Sequence, residues 1–348
     1  MEVRKLRGNA SVINSGGSTK TYKQRESGIF FASAGFVEDF DTWNSVSTVT
    51  SSSYSSSCSR SSEYLLTGNS YSSYAGIKNI NRRKVYCFGY KGSFSTGNYV
   101  GEFSARIKQD EAIYLEINVG SSTGGIMLNK KTTLTSSTVE EIGYNENISL
   151  KAGIIEACFD LDEKRVTVWH SGSEISFNIP DNLISDSALI DRIYWGDISD
   201  KCWSELALSD TRIGNICIKP MLTNAIGDSN DFSDDTSNSP VLGKYTWSTP
   251  IQAANINSKQ LYKFSVPDLP NNSKIDGVFV HSSVKGDGLS EMTGIIKIGE
   301  DEFEGEATIP SSQYYSVASV YLKSREAFTA EDLASLQGGC KILGVPSE

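Results

Sequence analysis

Residues 102–119, EFSARIKQDEAIYLEINV, contain two runs in which apolar and polar side chains alternate. Phe103, Ala105 and Ile107 share one side of the first run. Leucine, isoleucine and valine at positions 115, 117 and 119 share one side of the second. A period of two is typical of antiparallel strands that bury one face. The stretch therefore predicts two strands of a sheet with an apolar inner face and a polar outer face.

The same alternation recurs along the chain, for example over residues 155–161 and 175–179. The intervening segments are rich in Gly, Asn, Asp and Ser, which favour turns. Many short strands without helical patterns between them indicate β-sandwiches of the jelly-roll type. One short helix is expected near the C-terminus, with Thr329 as its N-cap, Asp332 at the third helical position and Gly338 as its stop.

The chain has 348 residues, enough for two domains that each have a core. We predict an all-β protein with an extended basic N-terminal arm over residues 1–34. A jelly-roll domain is expected over residues 35–220 and a smaller antiparallel β-sandwich over residues 221–348. A stretch rich in Gly, Asn, Asp and Ser after Leu222 is interpreted as the opening of this second domain.

The charge of the chain excludes some partners and suggests others. A net charge of −10 argues against nucleic-acid binding, which needs clustered Lys and Arg. No apolar run approaches the roughly 18 residues of a membrane span, so none is predicted. The N-terminal segment, residues 1–25, is nevertheless basic, because only Glu2 opposes six cations. These six are candidates for docking to an acidic neighbour: Arg4, Lys5, Arg7, Lys20, Lys23 and Arg25.

The composition of the N-terminal arm predicts that it is flexible. Residues 1–28 show no periodicity and are rich in Gly and Ser, so alone they are expected to be flexible. Removal of residues 1–25 is then expected to leave both sandwiches folded and to prevent docking.

Residues 45–74 differ in composition from the rest, since 14 of these 30 residues are Ser. One interpretation is a solvated loop with weak strands at the edge of the sandwich. The other is a contact surface, because Tyr and Ser are favoured in adaptable binding loops. In that case the candidate contact residues are Tyr54, Tyr64, Tyr71 and Tyr74.

The sequence predicts no catalytic, cofactor-binding or metal-binding residue, and no enzymatic activity. His170 and His281 lie in strand patterns without a nucleophile motif beside them. Carboxylates such as Glu116 occupy outward strand positions rather than a facing pair. The acidic segment after Asp228 fails the calcium-loop pattern because Phe232 stands at the third ligand position. The tryptophans are interpreted as core residues, with a sugar platform as the alternative.

Two groups of motifs resemble structural proteins of tailed bacteriophages. The first is similar to concanavalin-like (laminin-G-like) jelly-roll domains and comprises Phe36–Trp43, Phe103–Ile107, Tyr114–Val119, Ile193–Asp197 and Arg212–Ile218. The second resembles the C-terminal half of the same proteins and comprises Gly227–Asp228, Lys259–Phe264, Pro267–Pro270, Gly277–His281, Glu302–Gly305 and Phe328–Leu333. Together the motifs cover most of residues 36–343.

The resemblance implies a non-enzymatic structural component of a phage virion, made in the host cytoplasm, at the neck or collar, tail, baseplate or fibre attachment. Its expected partners are other virion proteins, in a homo-oligomer or symmetric ring. No cofactor is implied. Two alternatives remain open: a carbohydrate-binding module that recognises a host-surface glycan, and a capsid decoration protein.

Overall fold

A computed structural model describes most of the chain. The described residues are 2–3, 9–15, 28–35, 40–43, 46–50, 64–68, 73–93, 100–110, 112–121, 125–131, 140–148, 150, 152–196, 201–214, 216–232, 251–253, 255–269, 274–312, 316–323 and 328–344. They form two compact units. The inserted unit comprises Thr21–Asn215, and the split unit comprises Met1–Lys20 together with Ile216–Glu348.

The described secondary structure is almost entirely strand, in agreement with the predicted all-β class. The N-terminal strands are β1 (Glu2–Val3) and β2 (Asn9–Ser15). The inserted unit contains β3 (Ile29–Ser33), β4 (Asp41–Trp43), β5 (Val46–Thr50), β6 (Tyr64–Gly68), β7 (Tyr74–Ile77), β8 (Lys84–Ser93), β9 (Val100–Gln109), β10 (Ala112–Ser121), β11 (Ile126–Lys131), β12 (Glu140–Asn145), β13 (Gly153–Asp160), β14 (Arg165–His170), β15 (Ser173–Asn178), β16 (Leu189–Trp195) and β17 (Lys201–Ser209), with a 3₁₀ turn at Asp181–Leu183.

The split unit continues with β18 (Cys217–Met221), β19 (Thr223–Asn230), β20 (Ile251–Gln252), β21 (Lys259–Phe264), β22 (Lys274–Val284), β23 (Glu291–Ile298), β24 (Asp301–Glu304), β25 (Ser316–Lys323), α1 (Ala330–Ser335) and β26 (Leu336–Gly344). Every strand pairing in the described residues is antiparallel, as the alternating sequence pattern predicts.

Two sheets pack against each other in the inserted unit. One has the strand order β12-β11-β10-β9-β16-β7-β4, and the other has β15-β14-β13-β8-β17-β6-β5 with β3 also paired to β17. Aromatic side chains join them, since Phe103 lies 5.4 Å from Trp203 between ring centroids. Trp195 of the first sheet donates from Nε1 to the Phe88 carbonyl of the second. The apolar sides of β9 and β10 face this core, as their alternation predicts.

The split unit differs from the predicted domain boundaries, because its first strands come from the N-terminus. Strand β2 lies between β18 and β22 in a four-stranded sheet of order β18-β2-β22-β25. Residues 9–15 are therefore part of a sheet rather than of an extended arm. Likewise Ile29–Ser33, which the arm was expected to include, pairs with β17 of the inserted unit. Pairing partners that lie far along the chain leave no local signal, so sequence periodicity could not identify these strands.

A five-stranded sheet of order β19-β21-β26-β23-β24 completes the split unit. The two sheets approach closely where β23 and β24 cross β25. A Cβ atom placed on Gly305 would lie 2.0 Å from the Ser319 carbonyl oxygen, and one on Gly294 would lie 2.6 Å from the Ser319 carbonyl carbon. Glycine is therefore required at both positions for the backbones to pack at this distance.

The predicted helix forms, and its start agrees with the sequence signal. The Thr329 side chain accepts a hydrogen bond from the Asp332 amide, and the Asp332 side chain accepts one from the Thr329 amide. Its end differs from the prediction. The helix stops at Ser335 because Leu336 is already extended, and Gly338 lies within β26.

Candidate functional site

The outer face of the first sheet of the inserted unit carries a line of polar side chains. Tyr194, Ser104, Asn118 and Asn129 lie opposite one another on β16, β9, β10 and β11. We call these four residues the polar row. Each is only 2% to 7% exposed, although each points away from the core of the sandwich. Buried polar groups on the outer face of a sheet are informative because such groups usually have specific partners.

The strand register explains why the row is straight. Ser104 pairs with Asn118, and Asn118 pairs with Asn129, with no register shift between them. Side chains on the same face of paired strands are neighbours, about 5 Å apart. The residues on either side of the row, such as Phe103 and Val119, point into the core. Alternation therefore fixes both the apolar core and the polar row.

The hydrogen bonding of the row leaves donor capacity. The Ser104 hydroxyl donates to Asn118 Oδ1. Within the described residues, the Asn118 amide nitrogen makes no hydrogen bond to the protein. Since an Asn side chain carries two N–H donors, the row presents at least one polar group that can bind a ligand hydroxyl or carbonyl.

Tyr194 at the end of the row is held from several sides. The ring of Tyr74 on β7 meets it edge-on, with centroids 6.2 Å apart. Gly76 lies directly beneath the ring, because a Cβ atom there would lie 2.3 Å from a Tyr194 ring carbon. The Arg106 guanidinium carbon lies 4.7 Å from the ring centroid, which is cation–π contact.

A second line, which we call the charged row, runs beside the polar row and comprises Arg106, Glu116 and Lys131. Arg106 Nε donates to Glu116 Oε2 at 2.6 Å. Lys131 Nζ lies 3.6 Å from Glu116 Oε1. One buried carboxylate is thus shared by two cations that are each about one quarter exposed. The charged row has a net charge of +1.

The outer face of the second sheet carries a different arrangement, a stack of aromatic and cationic side chains. Tyr86 and Trp169 are nearly parallel, with ring centroids 6.0 Å apart. The Arg212 guanidinium carbon lies 4.4 Å from the Trp169 centroid, and Lys84 Nζ lies 5.7 Å from that of Tyr86. Because protein groups lie against both rings, this stack differs from an open aromatic platform for a sugar.

Several titratable groups around Tyr86 have shifted pKa values. Burial raises the pKa of Tyr86, and it raises the pKa of Cys158, the residue paired with Tyr86 on β13, to about 12. The hydrogen bond to Asp160 raises the pKa of Lys84. Although burial opposes it, the same hydrogen bond lowers the pKa of Asp160. The opposite pKa shifts of Lys84 and Asp160 keep both groups charged over a wider pH range, and the raised pKa of Cys158 leaves its thiol protonated at neutral pH.

Buried Glu156 fixes the segment through which the chain leaves the inserted unit. Its carboxylate accepts hydrogen bonds from the amides of Ile213, at 2.6 Å, and Gly214, at 3.3 Å. Arg212 Nε lies 3.4 Å from the same group. Burial raises the pKa of Glu156, against the lowering effect of these hydrogen bonds.

The two ends of the inserted unit meet at one place. The Asp210 amide donates to the Gly28 carbonyl at 3.1 Å, and the Gly28 amide donates to Thr211 Oγ1 at 3.1 Å. In the split unit, the strands that precede and follow this insertion are β2 and β18, and they pair with each other. The inserted unit thus has the topology of a domain placed within a hairpin of another domain.

Most contact residues expected from the sequence lie outside the described residues. These are Arg4, Lys5, Arg7, Lys20, Lys23, Arg25, Tyr54 and Tyr71. Tyr64 belongs to β6, and its side chain is not described. Tyr74 is the one whose surroundings are described, and it contacts Tyr194 beside the polar row.

The histidines and the described tryptophan side chains contact other protein groups in the structure. His170 Nδ1 lies 2.8 Å from the Ile154 carbonyl oxygen, and His281 packs against Phe279. Trp195 and Trp203 are core residues. No group of three or more His, Cys, Asp or Glu side chains in the described part of the chain is placed to hold a metal ion. Among those same residues, no helix is long and apolar enough to cross a membrane.

Sequence reasoning did not single out Arg106, Asn118 or Tyr194 as site residues. The sequence shows only that these residues lie on the outward side of their strands, and many solvent-exposed residues share that position. Register between strands distinguishes them, because it brings residues from β9, β10, β11 and β16 into two adjacent lines.

No protein-family model matches the chain, and none of the curated proteins matches it. Among solved structures, the chain is similar to the cellulose induced protein Cip1, with 12% identity, a TM-score of 0.35, and coverage of 49% of this chain and 88% of that one. It is also similar to the alginate lyase vAL-1 from Chlorella virus, with 9% identity, a TM-score of 0.35, and coverage of 49% and 93%.

A third similar structure is the carbohydrate esterase of the Shiga toxin-encoding bacteriophage phi24B. Its identity is 9% and its TM-score 0.29, with coverage of 50% of this chain and 90% of that one. Viral and phage proteins with β-rich folds are thus among the similar structures. Because the TM-scores of these three structures do not exceed 0.35 and their identities do not exceed 12%, none of the similarities assigns a function to this chain.

Proposed function

We propose that this protein is a non-enzymatic attachment component of a phage virion whose inserted unit binds an oligosaccharide along the polar row. The observation that carries the binding function is the alignment of Tyr194, Ser104, Asn118 and Asn129 across four neighbouring strands. The Asn118 amide nitrogen, without a partner among the described residues, supplies a donor for a ligand.

The dimensions and chemistry of the row suit an extended polyhydroxylated ligand. Neighbouring strands are about 4.8 Å apart, so four strands extend over about 14 Å. Amide, hydroxyl and phenol groups both donate and accept, which matches the hydroxyl groups of a sugar. The Tyr194 phenol lies at one end of the row, while its ring is already covered by Tyr74, Gly76 and Arg106.

The place of the protein in a virion is supported by the domain topology and by the sequence motifs given above. Both ends of the inserted unit meet at Gly28 and Asp210, so the split unit can serve as an anchor while the insertion carries the binding face. Binding rather than catalysis fits Glu116, since its carboxylate is held by both Arg106 and Lys131.

A glycan array tests the binding function with two matched variants. Asn118→Ala removes one of the two side-chain amides of the polar row, and we expect it to weaken glycan binding at least about tenfold, a loss of about 1.4 kcal/mol. Ser176→Ala removes the 2.9 Å contact between Ser176 and Thr167 hydroxyls on the outer face of the other sheet, and we expect it to leave binding unchanged. Both variants are first compared with the parent by thermal unfolding.

Absence of any glycan signal from the folded parent protein would contradict the binding function. Equal losses in both folded variants would exclude the polar row as the site.

Purified particles test the virion assignment. Mass spectrometry of gradient-purified phage is expected to detect the chain, and antibody labelling in negative stain is expected to show it on the particle surface. Detection only in the host lysate would overturn the assignment. The copy number separates a neck or baseplate, with about a dozen copies or fewer, from capsid or tail decoration, with on the order of hundreds, because each location follows a different symmetry.

A further inference from the structure

Arg106 belongs to the charged row and reaches the Tyr194 ring at the end of the polar row. Its strand neighbours on the same face are Tyr194 and Arg192 on β16 and Glu116 on β10. Its side chain is 27% exposed, whereas the Glu116 side chain is 10% exposed. Arg106 is therefore the more accessible member of the pair, while the carboxylate lies deeper in the face.

The contacts of Arg106 fix its guanidinium but leave its terminal nitrogens available to a ligand. Nε donates to Glu116 Oε2 at 2.6 Å, and the Tyr194 ring lies against the guanidinium at 4.7 Å. Within the described residues, neither terminal nitrogen of Arg106 makes a hydrogen bond to the protein. A guanidinium held by one edge and one face presents its remaining N–H donors in a fixed plane. That geometry matches a carboxylate, which an arginine binds with two parallel hydrogen bonds.

The surrounding charges favour the binding of a ligand anion beside Arg106. Lys131 lies on the other side of Glu116, and Arg192 pairs with Asp191 at 2.8 Å. On the same face, the edge strand β12 carries Glu141, which is exposed and lies opposite Asn129. The Glu141 carboxylate disfavours a ligand anion at that edge, whereas the net charge of Arg106, Glu116 and Lys131 favours one.

We infer that the polar face binds an acidic oligosaccharide, whose hydroxyl groups lie along the polar row and whose carboxylate is held by Arg106. The inference rests on the proposed function and names the ligand class of the same site. Arg106 then discriminates acidic from neutral sugars, and Asn118 contributes to binding both.

Methyl esters provide the sharpest test, because esterification removes the charge of a sugar carboxylate and leaves the ring hydroxyls in place. The probes are uronic-acid and sialic-acid oligosaccharides, each printed beside its methyl ester, with the strongest binder then titrated by calorimetry. We expect the free acid to bind at least about tenfold more tightly than its ester. Arg106→Gln is expected to reduce this ratio to about one, with little effect on binding of the ester.

Arg165→Gln is the matched control, because Arg165 is an exposed arginine on a strand of the other sheet. We expect it to retain the preference for the acid. If Arg106→Gln fails to fold, Lys131→Gln serves as the second variant and is expected to lower the preference in part.

The outcomes separate the two proposals. Binding of acids and esters with equal affinity would overturn the acidic-ligand inference and leave the proposed function standing. Preference for acids that survives Arg106→Gln in a folded variant would overturn the role of Arg106. Binding of neither class would overturn the proposed function itself.

Discussion

Lys91 Nζ lies 2.5 Å from Glu102 Oε1 in the interior of the inserted unit, where both side chains are almost fully buried. Lys91 comes from β8 and Glu102 from β9, so the pair joins the two sheets. Lys91 also donates to the Leu150 carbonyl at 2.9 Å. A buried ion pair stabilises a fold little relative to apolar residues, but the loss of one partner leaves an uncompensated charge.

We therefore expect Lys91→Met to destabilise the inserted unit by about 3–5 kcal/mol. The double variant Lys91→Met with Glu102→Met is expected to recover most of that loss, because no charge remains to be desolvated. Denaturant unfolding measures both values. An exposed pair provides the control: Lys164 lies 3.2 Å from Asp181, and Lys164→Met should cost less than about 1 kcal/mol. A double variant as unstable as the single one would contradict the prediction.

The raised pKa of Glu156 predicts that the free energy of unfolding depends on pH. Its ordinary pKa of 4.5 is raised in the folded protein, mainly by burial. A carboxyl with a raised folded-state pKa favours the folded state most below its unfolded pKa. That contribution is lost as pH rises through the folded pKa. We therefore expect the stability of the parent relative to Glu156→Gln to be greatest below pH 4.5 and to fall as pH rises above it.

Unfolding midpoints of both proteins, measured from acidic to neutral pH, check this. Because glutamine does not titrate, the difference between the two curves reports the Glu156 carboxyl alone. A difference that grows in favour of the parent as pH rises would show that the hydrogen bonds from Ile213, Gly214 and Arg212 outweigh burial.

We expect substitution by alanine to lower the stability of the protein more at Gly305 than at Gly299. Gly305→Ala places a methyl group 2.0 Å from a backbone oxygen of Ser319, so we expect a loss of about 3 kcal/mol from overpacking. Gly299 has φ of +60° with open space around it, so Gly299→Ala is expected to cost about 1 kcal/mol from backbone strain alone. Chemical denaturation of the two variants compares them. Equal losses would show that the β24–β25 contact can relax.

Strand periodicity was sufficient to predict the all-β class and the sides of β9 and β10 that face the core. The sequence also predicted the helix start, because Thr329 and Asp332 interact within one turn. It did not predict the helix end, since sheet pairing by β26 takes precedence over the local preference of Gly338. Local signals thus identified elements whose determining contacts are close in the sequence.

The candidate site and the domain boundary depend on contacts that are distant in sequence. The polar row needs β16 beside β9 and β10 beside β11, and the pattern within a strand does not show which strand lies next to it. The same holds for β2, whose neighbours β18 and β22 follow only after the whole inserted unit. Alternation gives the face of each residue, while register between strands decides which residues meet.

The position of β2 reverses the expected result of an N-terminal truncation. From the sequence, removal of residues 1–25 was expected to leave both sandwiches folded. In the structure, removal of residues 1–15 deletes a central strand and leaves the facing edges of β18 and β22 without their partner. Because buried backbone groups need hydrogen bonds, we expect the split unit to lose its cooperative fold.

Hydrogen exchange followed by mass spectrometry checks this prediction within one molecule. In the truncated chain we expect amide protection to disappear from β18, β22 and β25 and to persist in β8, β13 and β17 of the inserted unit. A synthetic peptide of residues 1–20 should restore the lost protection, since an added strand can pair with both free edges. Full protection of β22 without the peptide would show that β18 and β22 fold without β2 and that the N-terminus is an arm after all.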